Sequence, residues 1–316
     1  MTSARRIDFH FHLIPKFYQE AAYESGTGPL IGRYPDWSPE RALELMDAHS
    51  IEIALTSLAQ PGVQFGDPVR ARALARRCND YAAELVARWP KRFGAFAVVP
   101  MWEIGDAVAE VGYALDVLAH QGVCLFASYG ERFLGDPFFD PLLEELDRRQ
   151  AVVFVHPAFH PSSRKLELPW PGFMMEYLFD TTRAAVNLVF SGATERFPHI
   201  RFVLAHAGGL VPYFAWRLSI SPIIDPRLPH IAPEQIFARL GHFWYDTALC
   251  PTPDTMACLA GVARPDQVVF GTDWPFANAA VVAAAFKTSQ STALPAGLDR
   301  GAIDRANALS LFPQFA

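Results

Sequence analysis

Short runs of β-branched and aromatic residues alternate with longer stretches that carry helical start signals, and the alternation recurs eight times along the chain. Such a rhythm demands a parallel sheet, because parallel neighbours need a crossover connection, usually a helix. Strands are expected at 7–12, 51–58, 93–99, 123–127, 152–155, 201–205, 243–246 and 268–271. The VVFV run at 152–155 is apolar on both faces, as a strand covered on both sides must be. Helices open at Ser38-Pro39-Glu40, Asp67-Pro68 and Asp136-Pro137, each a small polar cap followed by proline at the first helical position. Further helices are expected at 104–120 and 173–191, and a short one from Gly209 to Leu218. A long loop is expected between strand one and Ser38, and a Pro-rich excursion at 221–233, the latter a candidate interface. Eight strands, each followed by a helix, close into an α/β fold of the (β/α)₈ barrel type, one domain over 1–316. A doubly wound open sheet is the alternative, weakened because no G-x-G-x-x-G follows any strand.

Composition narrows the function classes. Hydrophobic residues make up 51% and aromatics 13% of the 316 residues, which excludes a disordered chain. The net charge of −6, without basic runs, argues against nucleic acid or an anionic membrane as partner. No apolar run behind the N-terminal arginines suggests a signal peptide, and the most apolar run, 279–286, is too short to span a bilayer. Cys78, Cys124, Cys250 and Cys258 are scattered, and are expected to be reduced core thiols of a cytoplasmic protein.

In a (β/α)₈ barrel, chemistry sits at the C-terminal ends of the strands. Strand one ends in Asp8-Phe9-His10-Phe11-His12, and strand alternation puts His10 and His12 on one face, about 6–7 Å apart. Strand five ends in His156, strand six in His206, and Asp273 follows strand eight. Each alone has a plain structural explanation: a hydrogen-bonded histidine, or a helix cap. Together they surround one barrel mouth. Three imidazoles and one carboxylate suit one divalent cation, Zn²⁺ first, with Mn²⁺ tolerated.

With these residues the chain resembles the amidohydrolase superfamily, in the branch of the α-amino-β-carboxymuconate-ε-semialdehyde, γ-resorcylate and 6-methylsalicylate decarboxylases. The likeness runs through IDFHFHLIPKFY, DWSPERALELMDAHSI, FVHP, FPHIRFVLAHAGG, FWYDTAL and VVFGTDWPFA. It implies a single metal on His10, His12, His156 and Asp273, with His206 as an acid/base that does not ligate. Binuclear members carry a bridging lysine at the end of strand four. The four lysines here (Lys16, Lys91, Lys165, Lys287) all lie elsewhere, which favours one metal. Arg33 stands four residues before Trp37, the spacing of a carboxylate-binding arginine in the semialdehyde decarboxylase. Arg33 and Trp37 are expected at the substrate, and of the aromatic residues near strand ends Phe159 and Trp274, with Phe9, Phe11 and Phe276, are expected to line an apolar pocket for a planar ring, although core packing explains any one of them equally well. Asp246, at the end of strand seven, is expected to hydrogen-bond behind the ligands.

The resemblance implies a homodimeric or larger non-oxidative decarboxylase of a salicylate-like or enol carboxylic acid. Asp273 or His206 would protonate the carboxylate-bearing carbon. Asp273 beside a cation is driven to ionise, which keeps His206 as the rival acid. A hydrolase of a lactone or amide is the alternative on the same site, and a metal-binding scaffold without catalysis is a third.

Overall fold

The apolar runs form eight barrel strands: β1 (Arg6–His12), β2 (Ile51–Ser57), β3 (Phe93–Ala97), β4 (Gly122–Phe126), β5 (Val152–His156), β6 (Arg201–Leu204), β7 (Trp244–Asp246) and β8 (Val268–Val269). The computed structural model describes residues 5–29, 32–167 and 169–316. Residues 1–4 of the N-terminal segment and residues 30 and 31 of the expected loop lie outside them. All neighbouring strands pair in parallel and in sequence order. Closure comes from the segment around β8. The Phe9 amide donates to the Phe270 carbonyl at 2.9 Å, the Asp273 amide to His10 O and the His12 amide to Trp274 O, both at 2.7 Å. The ring is thus a (β/α)₈ barrel rather than an open sheet, and its seam runs directly through the expected ligands.

Caps form as their residue types dictate. Ser38 Oγ accepts from the Arg41 amide at the start of the helix Pro39–Ala48, and Asp67 Oδ1 from the Arg70 amide at the start of Pro68–Arg88. Phe9, Phe96, Phe154 and Phe312 stack beneath the site, with Phe9–Phe312 and Phe96–Phe154 ring centroids each 5.6 Å apart. Burying one such ring contributes about 1.5–3 kcal/mol. The Phe154 ring in turn lies 5.0 Å from that of His10, so the apolar plug supports the polar floor above it.

Three local expectations differ. The loop after β1 contains a helix, Lys16–Glu24, whose N-cap is Pro15 and which therefore lacks a polar start signal. The helix expected to end at Leu218 continues to Ile224 with Pro222 inside it, shortening the excursion. Of the four cysteines only Cys78 and Cys124 are buried core thiols, whereas Cys258 is exposed and Cys250 lines the cavity described below. No helix among the described residues is long and apolar enough to cross a membrane.

Candidate metal centre and adjoining cavity

His10 and His12 project from β1 into the barrel mouth, their ring centroids 4.9 Å apart. His156, the last residue of β5, faces both, at 5.3 Å from His10 and 4.9 Å from His12. Asp273 reaches them from the loop after β8. One nitrogen of each imidazole and one Asp273 oxygen all lie within 4.8 Å of one another, and all four residues are buried. Donors that share one cation through bonds of about 2.0–2.2 Å stand no more than roughly 4.4 Å apart, so the cluster is close to ligating geometry.

The hydrogen bonds behind the rings decide which nitrogen faces the centre. His10 Nδ1 lies 2.7 Å from Asp246 Oδ2. His156 Nδ1 lies 2.8 Å from the Pro157 carbonyl. His12 Nδ1 faces the Ser57 carbonyl at 3.3 Å and its hydroxyl at 3.2 Å. With each Nδ1–H donating outward, all three Nε2 lone pairs point inward. His10 Nε2 has no hydrogen-bond partner, and it and His12 Nε2 lie 3.3 and 3.1 Å from the same Asp273 oxygen. A buried, unpartnered nitrogen beside a carboxylate and two further imidazoles is what a divalent cation requires.

The electrostatics keep two of the three imidazoles neutral and leave a proton on the third until a cation displaces it. Burial is the chief cause that pushes His12 and His156 below the ordinary histidine range, which keeps them neutral. Burial also acts against charge on His10, but Asp246 and Asp273 outweigh it and raise its pKa to about 10. Burial alone would raise Asp273, yet His10, His12 and His206 hold it well below the usual carboxylate range.

His206 stands beside this set, its Nε2 3.4 Å from Asp273 Oδ2 and its ring centroid 4.8 Å from that of His10. Its amide donates to Asp246 Oδ1 at 2.8 Å, so Asp246 orients His10 and His206 together, as its position at the end of β7 suggested. His206, Ala207 and Asp273 all adopt left-handed backbone, with φ of 54°, 54° and 67°. Such conformations cost about 1–3 kcal/mol each outside glycine and cluster at functional sites.

Sequence reasoning passed over Asp8. Its buried carboxylate accepts from the His10 amide at 3.0 Å and from the Thr272 amide and hydroxyl at 3.1 and 2.6 Å, tying β1 to the Asp273 loop. Burial pushes its pKa up to about 7 against those hydrogen bonds. Simple alternation does not mark it, because the register of β1 against β2 shifts between Asp8 and Phe11. Gly271 serves the same seam, because a Cβ there would lie 2.8 Å from His10 Cβ. Gly271→Ala is therefore expected to weaken metal binding about 10–100-fold, as loss of ligand orientation does, measured by competition with a chelator.

His156, His206 and Asp273 form part of the wall of a cavity of about 450 Å³. Phe173, Met174, Leu178, Leu249, Phe276 and Val281 supply much of the rest, with Gln60 and Tyr177 among its polar residues. Of the residues expected at substrate, Phe276 lines it, whereas Arg33, Trp37, Phe159 and Trp274 do not. Arg33 is exposed. Trp37 is buried beside Tyr81 with ring centroids 6.1 Å apart, and Trp274 packs on Phe11 at 4.8 Å. The Phe159 ring sits behind Gly172, where a Cβ would lie 2.2 Å from it. The actual lining comes largely from loops and from the segment before the helix Glu176–Phe190, where neither spacing nor alternation marks a residue.

Residues 7–313 match the family model described as amidohydrolase. The chain is 36% identical to the 6-methylsalicylic acid decarboxylase of Aspergillus aculeatus, with 98% of this chain and 96% of that protein covered. It is 28% identical to the γ-resorcylate decarboxylase of Rhizobium radiobacter, with 85% of each covered. Among solved structures it is similar to a dihydroxybenzoic acid decarboxylase from Polaromonas with bound manganese and the inhibitor 2-nitroresorcinol. That similarity has a TM-score of 0.84 at 26% identity and covers 98% of this chain and 97% of the other.

Proposed function

The chain belongs to the amidohydrolase family, and from that premise we propose that it is a metal-dependent carboxy-lyase that removes CO₂ non-oxidatively from an ortho-hydroxybenzoate of the 6-methylsalicylate type. The observation that carries this is the placement of a buried His₃Asp cluster and an unligated histidine at one end of a largely apolar cavity. A planar aromatic acid fits such a space, with its oxygens at the polar end and its ring against Phe276 and Leu249. The names of the curated relatives support the substrate class.

In this proposal His10, His12, His156 and Asp273 hold one cation. Zn²⁺ comes first on the donor set, and the manganese of the related dihydroxybenzoic acid decarboxylase supports Mn²⁺ as the alternative. A bound divalent cation would supply positive charge to the substrate's phenolate and carboxylate oxygens. His206 carries the proton to the ring carbon that bears the carboxylate. Asp273, held ionised, orients His206 through the contact at its Nε2. Protonation there interrupts aromaticity. Cleavage of the C–C bond returns its electron pair to the ring, and CO₂ leaves neutral. Trp37 and Trp274 are buried in the core, Phe159 packs on Gly172, and Arg33 is exposed, so the proposal assigns the substrate contacts to the cavity lining.

The remaining parts of the proposal are a single barrel domain over 1–316, a cytoplasmic setting and a homo-oligomer. The buried free thiols of Cys78 and Cys124 support a reducing compartment. Tyr213, Trp216, Ile223 and Ile224 on the helix Val211–Ile224 are 68–74% exposed and support self-association through that helix. Trp216→Glu is expected to shift sedimentation velocity to the monomer, and an unchanged coefficient argues for another interface.

The function is tested by incubating the metal-loaded protein with 6-methylsalicylate and related acids, following absorbance and CO₂. CO₂ release supports the decarboxylase. Cleavage of lactones or amides without CO₂ release moves the assignment to a hydrolase.

A further inference from the structure

No lysine or arginine is among the described residues that line the cavity. A carboxylate that enters therefore meets neutral donors in the protein wall. Those donors are few. His206 is assigned to proton transfer and the Cys250 thiol is a weak donor. The remaining polar pair spans two elements: Gln60, just after β2, and Tyr177, near the start of the helix Glu176–Phe190.

Tyr177 donates its hydroxyl hydrogen to Gln60 Oε1 at 3.0 Å. That bond occupies the acceptor end of the carboxamide and fixes which end remains. The Gln60 amide nitrogen, with two N–H groups, makes no hydrogen bond to the described residues. Both side chains are half-buried and in the cavity wall, and the Tyr177 ring centroid lies 6.1 Å from that of His156. The pair thus stands beside the proposed metal ligand. Burial is the chief cause that raises the Tyr177 phenol far above its ordinary range, so it stays a neutral donor to Gln60.

We propose that the Gln60 carboxamide, held by Tyr177, hydrogen-bonds the substrate carboxylate and thereby selects the aromatic acid over its decarboxylated phenol. The chemistry favours a neutral donor at this point. The carboxylate loses its charge when CO₂ leaves, so a bidentate arginine pair would stabilise the ground state most and raise the barrier. An amide orients the group with a weaker hold that costs less as the charge drains into the ring.

This inference rests on the decarboxylase reading, and its test separates the two. Metal-loaded wild type, Gln60→Leu and Tyr177→Phe are titrated with 6-methylsalicylate and, separately, with 3-methylphenol, while metal content and circular dichroism establish that each variant is folded. Gln60→Leu is expected to weaken the acid about tenfold, the loss typical of a hydrogen bond to a charged group, with the affinity for the phenol unchanged. Tyr177→Phe is expected to weaken the acid in the same direction by less, because the amide remains but loses its anchor. Equal weakening of acid and phenol in Gln60→Leu, or unchanged acid binding, overturns the assignment. If wild type and variants show the expected discrimination but wild type releases no CO₂, the decarboxylase reading falls and the Gln60 site stands. If wild type binds no aromatic acid, both fall.

Discussion

Replacing His206 by glutamine is expected to slow CO₂ release about 10²–10⁴-fold, the span of a lost general acid, while the metal content stays at that of wild type. The separation of the two readouts is the point. His206 stands outside the group of four donors, yet its Nε2 lies 3.4 Å from Asp273 and its ring lines the cavity. Its backbone is held by Asp246 in a left-handed conformation that a side chain adopts only where the surroundings impose it. Asp273 is the competing acid, but His10, His12 and His206 stabilise its ionised form despite burial. A cation beside it deepens that preference. A loss below about tenfold in His206→Gln, with metal retained, transfers the proton to Asp273.

His156→Ala is expected to remove the metal and, with it, all measurable turnover. The other three donors remain, but one of four protein ligands is lost, and the carboxylate and two imidazoles left behind make an incomplete site for a tetrahedral cation. The contrast is Asp246→Asn, which leaves every donor in place but removes the carboxylate that orients His10 and His206 and favours charge on His10. Its metal affinity should fall about 10–100-fold, short of complete loss. The same site sets the pH dependence. Without a cation His10 keeps a proton up to about pH 10, whereas His12 and His156 are neutral through the neutral range. Binding must therefore expel one proton from His10. Apparent metal affinity rises with pH by about tenfold per unit below that value, and falls as acid is added. Chelator competition at several pH values between about 6.5 and 8.5 checks the slope, and a flat profile contradicts it.

Much of this centre was legible in sequence because barrel strands are apolar on both faces and their C-terminal ends are not. His156 and His206 each follow an apolar run, and His10 and His12 alternate with Phe9 and Phe11, so their polarity stands out at the place where a barrel builds its chemistry. The caps at Ser38, Asp67 and Asp136 were legible for the same reason, a local rule with little competition. The helix Lys16–Glu24 was not, since it lacks a polar cap, and neither was the continuation through Pro222, where packing overrides the breaker. The substrate wall was the least legible part. Gln60, Tyr177, Phe173 and Leu249 come together only through the barrel's closure, and no periodic pattern links a loop after β2 with a helix 117 residues later. Trp274, near a strand end, and Trp37, in the loop before the helix Pro39–Ala48, both belong to the buried core, because large aromatics serve the core as readily as a pocket.

The most direct test of the central claim is an anomalous difference map from crystals of the zinc-loaded protein. One peak is predicted, at about 2.0–2.2 Å from His10 Nε2, His12 Nε2, His156 Nε2 and an Asp273 oxygen. Two peaks at the barrel mouth, or a single peak ligated by His206 in place of any of these four, would contradict the account.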